Sequence, residues 1–244
     1  MTSTLVAAAA AERLCIGGFV PFTTTDFPGR IAAVIFCQGC PWHCGYCHNV
    51  HLQPSRAAVD APEWSWPAVR ARLSERRGWL DAVVFSGGEP TAQPALEAAI
   101  DATRAFGFDI GLHTAGIYPR RLARVLGRVD WVGLDIKAPV TGYGIVTGIA
   151  GSGSVAFETL DLLLSSEVAF EVRTTVHSGL TPPRVLLALA RALADRGVRR
   201  WVLQPFRAQG CTDAAIIAAH EAHALSAELV AELAQHVPEI TQRR

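Results

Sequence analysis

The sequence predicts an α/β protein built as a partial (β/α)6 TIM-type barrel of parallel strands. Two observations predict it. Short apolar runs rich in β-branched and aromatic residues alternate with longer segments whose apolar residues recur at helical spacing. Residues suited to chemistry recur where the apolar runs end, and functional residues of such barrels gather at the C-terminal ends of the strands. Six strand–helix units are too few for an eight-fold closed barrel and enough for an open one. With 244 residues, half of them hydrophobic and 18% charged, the chain can bury a substantial core in one large α/β domain and is not of disordered composition.

The first residues, Met1 to Ala11, carry an apolar run from Leu5 without a basic region ahead of it, a poor match to a secretory signal. Residues 1–17 are expected to form an N-terminal arm, frayed or briefly helical, ahead of a domain spanning 18–244. The expected strands are Ile31–Phe36, Ala82–Phe85, Asp109–His113, Trp131–Ile136, Ala169–Val176 and Trp201–Leu203. Between them, helices are expected over Pro94–Phe106, Pro119–Leu126, Phe157–Leu164 and Pro182–Arg196. The glycine-rich stretch Gly142–Gly153 reads as a mobile loop. Trp64, Trp66 and Trp79 are expected on or beside a helix, covering the core. No later stretch reaches the roughly 20 apolar residues that cross a bilayer. The formal charge is zero, so neither nucleic acid nor membrane is an expected partner, and the expected location is cytoplasmic.

The cysteines are the informative part of the composition. Cys37, Cys40, Cys44 and Cys47 share one short segment, while Cys15 and Cys211 stand alone. A disulfide framework spreads its cysteines to close large loops; crowding them indicates a metal or cluster site in a reducing compartment. The segment reads Cys37-Gln-Gly-Cys40-Pro-Trp-His-Cys44-Gly-Tyr-Cys47-His-Asn49. Soft thiolates suit zinc and iron–sulfur clusters alike. Two zinc-type Cys-x-x-Cys pairs are present, but the three residues between them are far fewer than structural zinc sites use. The other frame is Cys40-x3-Cys44-x2-Cys47, with the aromatic Tyr46 before the last cysteine. Cys37 falls outside it, as a buried thiol at a strand end or as a ligand in some resting state. Cys15 and Cys211 take the buried reading. His43, His48 and His51 flank the segment, where they could tune a cluster or be satisfied by solvent and backbone.

In this frame the sequence resembles the radical S-adenosylmethionine superfamily, whose signature is CxxxCxxC. The resemblance implies the radical SAM fold, with Cys40, Cys44 and Cys47 holding three irons of a 4Fe–4S cluster and the fourth iron open to S-adenosylmethionine. Ser86-Gly87-Gly88-Glu89-Pro90 follows the second expected strand. Alone it is an ordinary strand-to-helix turn with glycines that permit close backbone approach; one βα unit after the cysteines it resembles the superfamily's GGE motif. Lys137 and Arg173 are charges in or beside apolar strands and need partners if buried. A salt bridge within the barrel, such as Lys137 with Asp135 or Glu171, is the plain alternative to a cofactor role.

Thr25-Asp26-Phe27-Pro28-Gly29, Cys47-His48-Asn49 and Asp135-Ile136-Lys137-Ala138-Pro139 narrow the likeness. From about Gly18 to Phe206 the chain resembles the glycyl-radical-enzyme activases, particularly the anaerobic ribonucleoside-triphosphate reductase activating class and more distantly pyruvate formate-lyase activating enzyme. The resemblance implies that Gly87, Gly88 and Glu89 hold the methionine end of the cofactor, with Thr114, Asp135, Lys137 and Arg173 beside it and Tyr46 approaching the adenine through its backbone. His113 stands where many activases have an aspartate that in some members helps bind a monovalent cation, and Arg207 where a histidine stands in the pyruvate formate-lyase enzyme. Neither role carries over.

The implied reaction is reductive cleavage of S-adenosylmethionine, giving a 5′-deoxyadenosyl radical that takes hydrogen from a glycine of a partner glycyl-radical enzyme, anaerobic ribonucleotide reductase in this class. A flavodoxin- or ferredoxin-type protein would donate the electron. Two alternatives stay open: a radical enzyme acting on a small molecule or peptide, and a non-catalytic iron–sulfur or zinc-binding protein. The second gives no role to Gly87–Glu89 or Lys137.

Overall fold

The computed structural model describes residues 10–55, 64–221 and 225–243. One eight-stranded sheet runs in chain order: β1 (Ile16–Thr23), β2 (Ala32–Cys37), β3 (Ala82–Gly87), β4 (Asp109–Thr114), β5 (Trp131–Asp135), β6 (Ala169–Val176), β7 (Arg200–Pro205) and β8 (Glu239–Gln242). β1 pairs antiparallel with β2, and every later pair is parallel. The helices are α1 (Trp66–Glu75), α2 (Leu96–Arg104), α3 (Pro119–Val125), α4 (Tyr143–Thr147), α5 (Ser152–Leu164), α6 (Pro183–Ala194), α7 (Ala214–Ala218) and α8 (Ala227–Ala234). β1 and β8 end the strand order without pairing to each other, so the barrel is open.

The six expected strands are β2 to β7, each within three residues at either end. The structure adds β8 as a seventh parallel strand and β1 as an antiparallel edge. Both escape sequence patterning for physical reasons. β1 contains Gly17, Gly18 and Pro21, residues that strands disfavour and edges tolerate. β8 is four residues long and has no buried residue. The expected N-terminal arm is not loose over its described part: Ala11 and Leu14 are buried in the main core, and β1 begins at Ile16. Residues 1–9 lie outside the described residues.

The outer face of the sheet and the helices form the large core. α6 shows the logic: Leu186, Leu189, Ala190 and Leu193 recur at i, i+3, i+4 and i+7 and are all fully buried. Each such leucine contributes roughly 1.5–3 kcal/mol on burial. The inner face holds a smaller cluster of Phe27, Ala32, Val34, Ala82, Val84 and Trp131. Strand alternation and register then set one inward layer of Phe36, Ser86, His113, Gly133 and Glu171, and Asp135 beside Arg173 in the next.

Two expectations about exposure are corrected. Trp66 is buried and Trp64 half-buried, but Trp79 is 79% exposed, because it sits in the turn after α1. Gly142–Gly153 is not a mobile loop: it contains α4 and the first turn of α5, with Tyr143, Val146, Thr147 and Ser152 buried. Its glycines serve the connection between the two helices, where Gly148 and Gly151 take φ of 71° and 74°. Among the described residues no single helix is long and apolar enough to cross a membrane. The pair Val140–Thr147 and Ser152–Leu164 passes by composition but is bent by 116°.

Candidate active site

The cysteine segment leaves β2 at Cys37 and is pinned from three sides. Gly39 and Cys40 donate their N–H groups to Leu52 O (2.7 Å) and Gln53 O (3.0 Å). His43 and Gly45 donate to Thr147 O (3.1 Å) and Val146 O (3.2 Å), so α4 buttresses the loop. From the far side, Arg207 N donates to His48 Nε2 (3.3 Å) and Cys211 Sγ to Gly45 O (3.4 Å). No cysteine is in a disulfide. Cys40, Cys44 and Cys47 line the mouth of a cavity of about 530 Å³, which runs on into the barrel. Cys37 is fully buried outside it, as are Cys15 and Cys211, in keeping with their buried-thiol reading. His43 and His51 sit in the loop beyond the cavity, and His48 is bonded through backbone.

The donor set suits a polynuclear cluster. A cluster takes one thiolate per iron, and Cys40, Cys44 and Cys47 all line the same cavity. Burial pushes the Cys40 thiol up to about 12 and Cys44 up as well. Tyr46, beside them, is buried with a hydroxyl that has no hydrogen-bond partner among the described residues, an orphan that a bound group could satisfy.

Gly87 and Gly88 owe their identity first to the cysteine segment. Gly87 has φ 116°, and a Cβ there would lie 2.4 Å from Cys37 N; one on Gly88 would lie 2.5 Å from Gly39 O and 2.8 Å from Leu52 O. The close approach they permit is that of β3 to the loop after β2. Both also line the cavity. Glu89 does not. Its carboxylate is fully buried and accepts from Thr91 N (3.0 Å), Thr91 Oγ1 (2.5 Å), Thr114 Oγ1 (2.8 Å) and Ala115 N (2.9 Å). The side chain expected at the methionine end is thus turned away, saturated by donors, and ties the end of β3 to the end of β4. Thr114, which it holds, does line the cavity.

Asp135 and Lys137 meet at the cavity wall, with Lys137 Nζ 3.2 Å from Asp135 Oδ2 and 5.7 Å from the centre of the Tyr46 ring. Burial pulls the Lys137 ammonium down, but the acidic groups of Tyr46, Asp135 and Cys44 outweigh it and hold the lysine well above its ordinary range. It is therefore a fixed cation beside the cysteines. Tyr143 braces this turn, accepting from Lys137 N (3.1 Å) and donating to Asp135 O (3.2 Å).

Arg173 lies deeper. Its guanidinium crosses the barrel over Gly133, where a Cβ would sit 2.6 Å from Cζ, and stacks 4.8 Å from the Trp131 ring. Nε donates to Glu171 Oε1 at 2.8 Å. The structure thus brings ten of the eleven expected residues to one cavity, all but Glu89, and sorts the two cations: Lys137 at the mouth, Arg173 inside. It adds Asp26, Ser86, His113, Thr175, Gln204 and Arg243 to the lining. Strand alternation could have put Ser86, His113, Thr175 and Gln204 on one face; nothing in the sequence brings Arg243 to Glu171, 72 residues away.

A seven-strand parallel sheet curved around a cavity, with three free cysteines lining it after the first parallel strand, defines an open α/β barrel with a thiol-lined site. The family model of the radical SAM superfamily matches residues 34–192, well over half of the sequence, and the chain belongs to that superfamily. Its members work with a 4Fe–4S cluster and S-adenosylmethionine. A Methanocaldococcus jannaschii protein, provisionally named a glycyl-radical enzyme activating enzyme, is 28% identical over 189 residues, 74% of this chain and 75% of its own. The pyruvate formate-lyase-activating enzyme of Clostridium pasteurianum is 33% identical over 129 residues (50% of this chain, 52% of its own). The PqqA peptide cyclase of Gluconobacter oxydans is 29% identical over 160 residues (63% and 44%). Among solved structures, QueE from Escherichia coli superposes with a TM-score of 0.59 at 18% identity, covering 97% of each chain; at that identity the likeness is one of fold.

Proposed function

We propose that this chain is a glycyl-radical-enzyme activase. The observation that carries the reading is a single cavity that joins Cys40, Cys44 and Cys47 at its mouth to Asp26, Ser86 and His113 inside, in a barrel whose edge strands β1 and β8 do not pair with each other. An open side of that kind admits a loop of another protein. The relatives named as activases support the reading. Cys40, Cys44 and Cys47 would each hold one iron. The backbone of Gly87 and Gly88, with Thr114, Asp135 and Lys137, would bind the methionine end of S-adenosylmethionine, and Tyr46 would border its adenosine. Glu89 acts by fixing Thr114 and Ala115. Held there, the cluster and S-adenosylmethionine would supply the electron and the radical chemistry for removing a hydrogen atom from a glycine Cα of the partner. The partner would be anaerobic ribonucleotide reductase, and the electron donor a flavodoxin- or ferredoxin-type protein of the cytoplasm.

The test is made on anaerobically reconstituted, reduced protein mixed with S-adenosylmethionine and that reductase. Expected are 5′-deoxyadenosine and a glycyl-radical doublet in the electron paramagnetic resonance spectrum, both lost in Cys40→Ala, Cys44→Ala or Cys47→Ala. Cofactor cleavage without the doublet would move the assignment to a peptide or small-molecule substrate. The likeness to a peptide cyclase favours that second reading.

A further inference from the structure

The chain between β7 and the end of α7 covers the cysteine segment on the side away from the cavity. Ile216 of α7 packs on Gly45, where a Cβ would lie 3.2 Å from Ile216 Cγ1. Cys211 Sγ donates to Gly45 O at 3.4 Å, and Arg207 N to His48 Nε2 at 3.3 Å. Gly210, at φ 83°, lays its backbone against His48 O, which a Cβ there would overlap. Gly45 stands between Cys44 and Tyr46, and His48 follows Cys47. Among the described residues the cavity is lined by Cys44, Tyr46, Cys47 and His48 but not by Gly45, Gly210, Cys211 or Ile216. The cover is therefore separate from the space a substrate would occupy.

α7 is five residues long and buries none of them, so it does not hold itself in place. The turn at the end of β6 holds it. His177 is fully buried and lies outside the cavity lining. Its Nδ1 accepts from Gly179 N (3.1 Å) and Leu180 N (3.2 Å), which puts the ring proton on Nε2. Nε2 donates to Ile216 O at 2.9 Å. Ser178 adds a second tie, its Oγ donating to Ala219 O at 3.1 Å and accepting from Glu221 N at 2.8 Å. The Phe206 ring meets His177 edge-on at 4.9 Å and fixes the plane of the imidazole. One buried ring thus links a barrel strand to the residue whose side chain rests on Gly45.

We propose that His177 is a positioning residue for the iron–sulfur site: through Ile216 it keeps the β7–α7 cover seated on the cysteine segment and so keeps the cluster's reduction potential low. Cluster potentials respond to solvent exposure and to the hydrogen bonding around the sulfurs. Reduction adds one electron, and with it one negative charge, to a site already ringed by thiolates. Water reaching the peptide groups around Gly45 would stabilise that added charge and raise the potential; a seated cover withholds it. Cleaving a sulfonium takes a strong one-electron reductant, which a low potential supplies. The inference rests on the cluster common to the superfamily and not on the activase reading.

The test is an anaerobic redox titration of the cluster-loaded protein without S-adenosylmethionine, read by the electron paramagnetic resonance signal of the reduced cluster. It is paired with amide hydrogen exchange over residues 41–49 of the cluster-free protein. His177→Asn keeps an acceptor for Gly179 N and Leu180 N but does not reach Ile216 O. It should speed exchange in that segment and move the reduction equilibrium about tenfold toward the reduced form, a rise of about 59 mV for a one-electron couple. His177→Gln, which can carry a donor to Ile216 O, should bring both back toward the parent. Ile216→Ala, on a helix with no buried residue, should raise the potential in the same direction, and it decides the question if His177→Asn does not fold. Parent-like potentials in the Asn and Ala variants would reduce His177 to a structural role and overturn the proposal, as would a fall in potential. A raised potential with parent-like exchange would break the link through the cover and overturn it too. No partner protein enters the titration, so the glycyl-radical assay can fail while the cover stands, and the reverse.

Discussion

Replacing Gly88 with alanine puts a Cβ 2.5 Å from Gly39 O, 2.8 Å from Gly39 C and 2.8 Å from Leu52 O. All three obstacles are backbone, so no side chain can swing away. Both oxygens are also in use: Gly39 O accepts from Glu89 N at 2.9 Å, and Leu52 O accepts from Gly39 N at 2.7 Å. Relieving the clash means moving the first residues of the cysteine segment away from β3. Overpacking of this kind costs about 1–3 kcal/mol, and weakening two hydrogen bonds adds about 1 kcal/mol each at most. The expected loss is about 2–4 kcal/mol, which for a chain of this size lowers Tm by roughly 5–15 °C. Because the displaced residues carry Cys40, iron incorporation should fall as well. Gly127→Ala is the control, since a Cβ there meets nothing within 4 Å; its Tm should stay at or slightly above that of the parent. Thermal melts and iron per chain after anaerobic reconstitution check both. A Gly88→Ala protein with the parent's Tm and iron content would refute the account of why these glycines are glycines.

Three further outcomes are expected. Cys37→Ala should keep the cluster's visible absorption and lose only stability, whereas alanine at Cys40, Cys44 or Cys47 should abolish that absorption; equal loss at Cys37 would make it a ligand. Glu89→Gln turns two amide hydrogens toward a site where four donors now converge on a carboxylate, so it should cost about 2–3 kcal/mol in denaturant unfolding and weaken S-adenosylmethionine binding through Thr114. His113 is held well below the ordinary histidine range by burial and then by Arg173. The unfolded chain takes up that proton near pH 6.5 and the folded one does not, so stability is full above that pH and falls below it, by up to about 1.4 kcal/mol per pH unit. Urea unfolding of cluster-free protein at pH 7.5, 6.5 and 5.5 reads this slope, and His113→Gln should flatten it.

The sequence by itself determined the six central strands, because their apolar, β-branched runs match the period of a buried parallel sheet, and the grouping of Cys40, Cys44 and Cys47 at one cavity, because spacing within one loop is a local property. It also marked the residues that line the cavity at strand ends, since alternation along a strand fixes which side chains point inward. Tertiary structure decided what depends on partners distant in the chain. Glu89 looked like a ligand to ammonium until β4 brought Thr114 and Ala115 to its carboxylate. Arg173 read equally as a barrel salt bridge or a cofactor contact, and the structure adds that Gly133 makes room for its guanidinium beside Trp131. Gly142–Gly153 read as a loop because its glycines mask the five-residue α4 and the start of α5, and α4 is held where it packs on the cysteine segment and the core. β1 and β8 are invisible to patterning because an edge strand draws its stability from a neighbour's hydrogen bonds and not from its own composition. Arg243 joins the site for the same reason, carried by β8 to a carboxylate on β6.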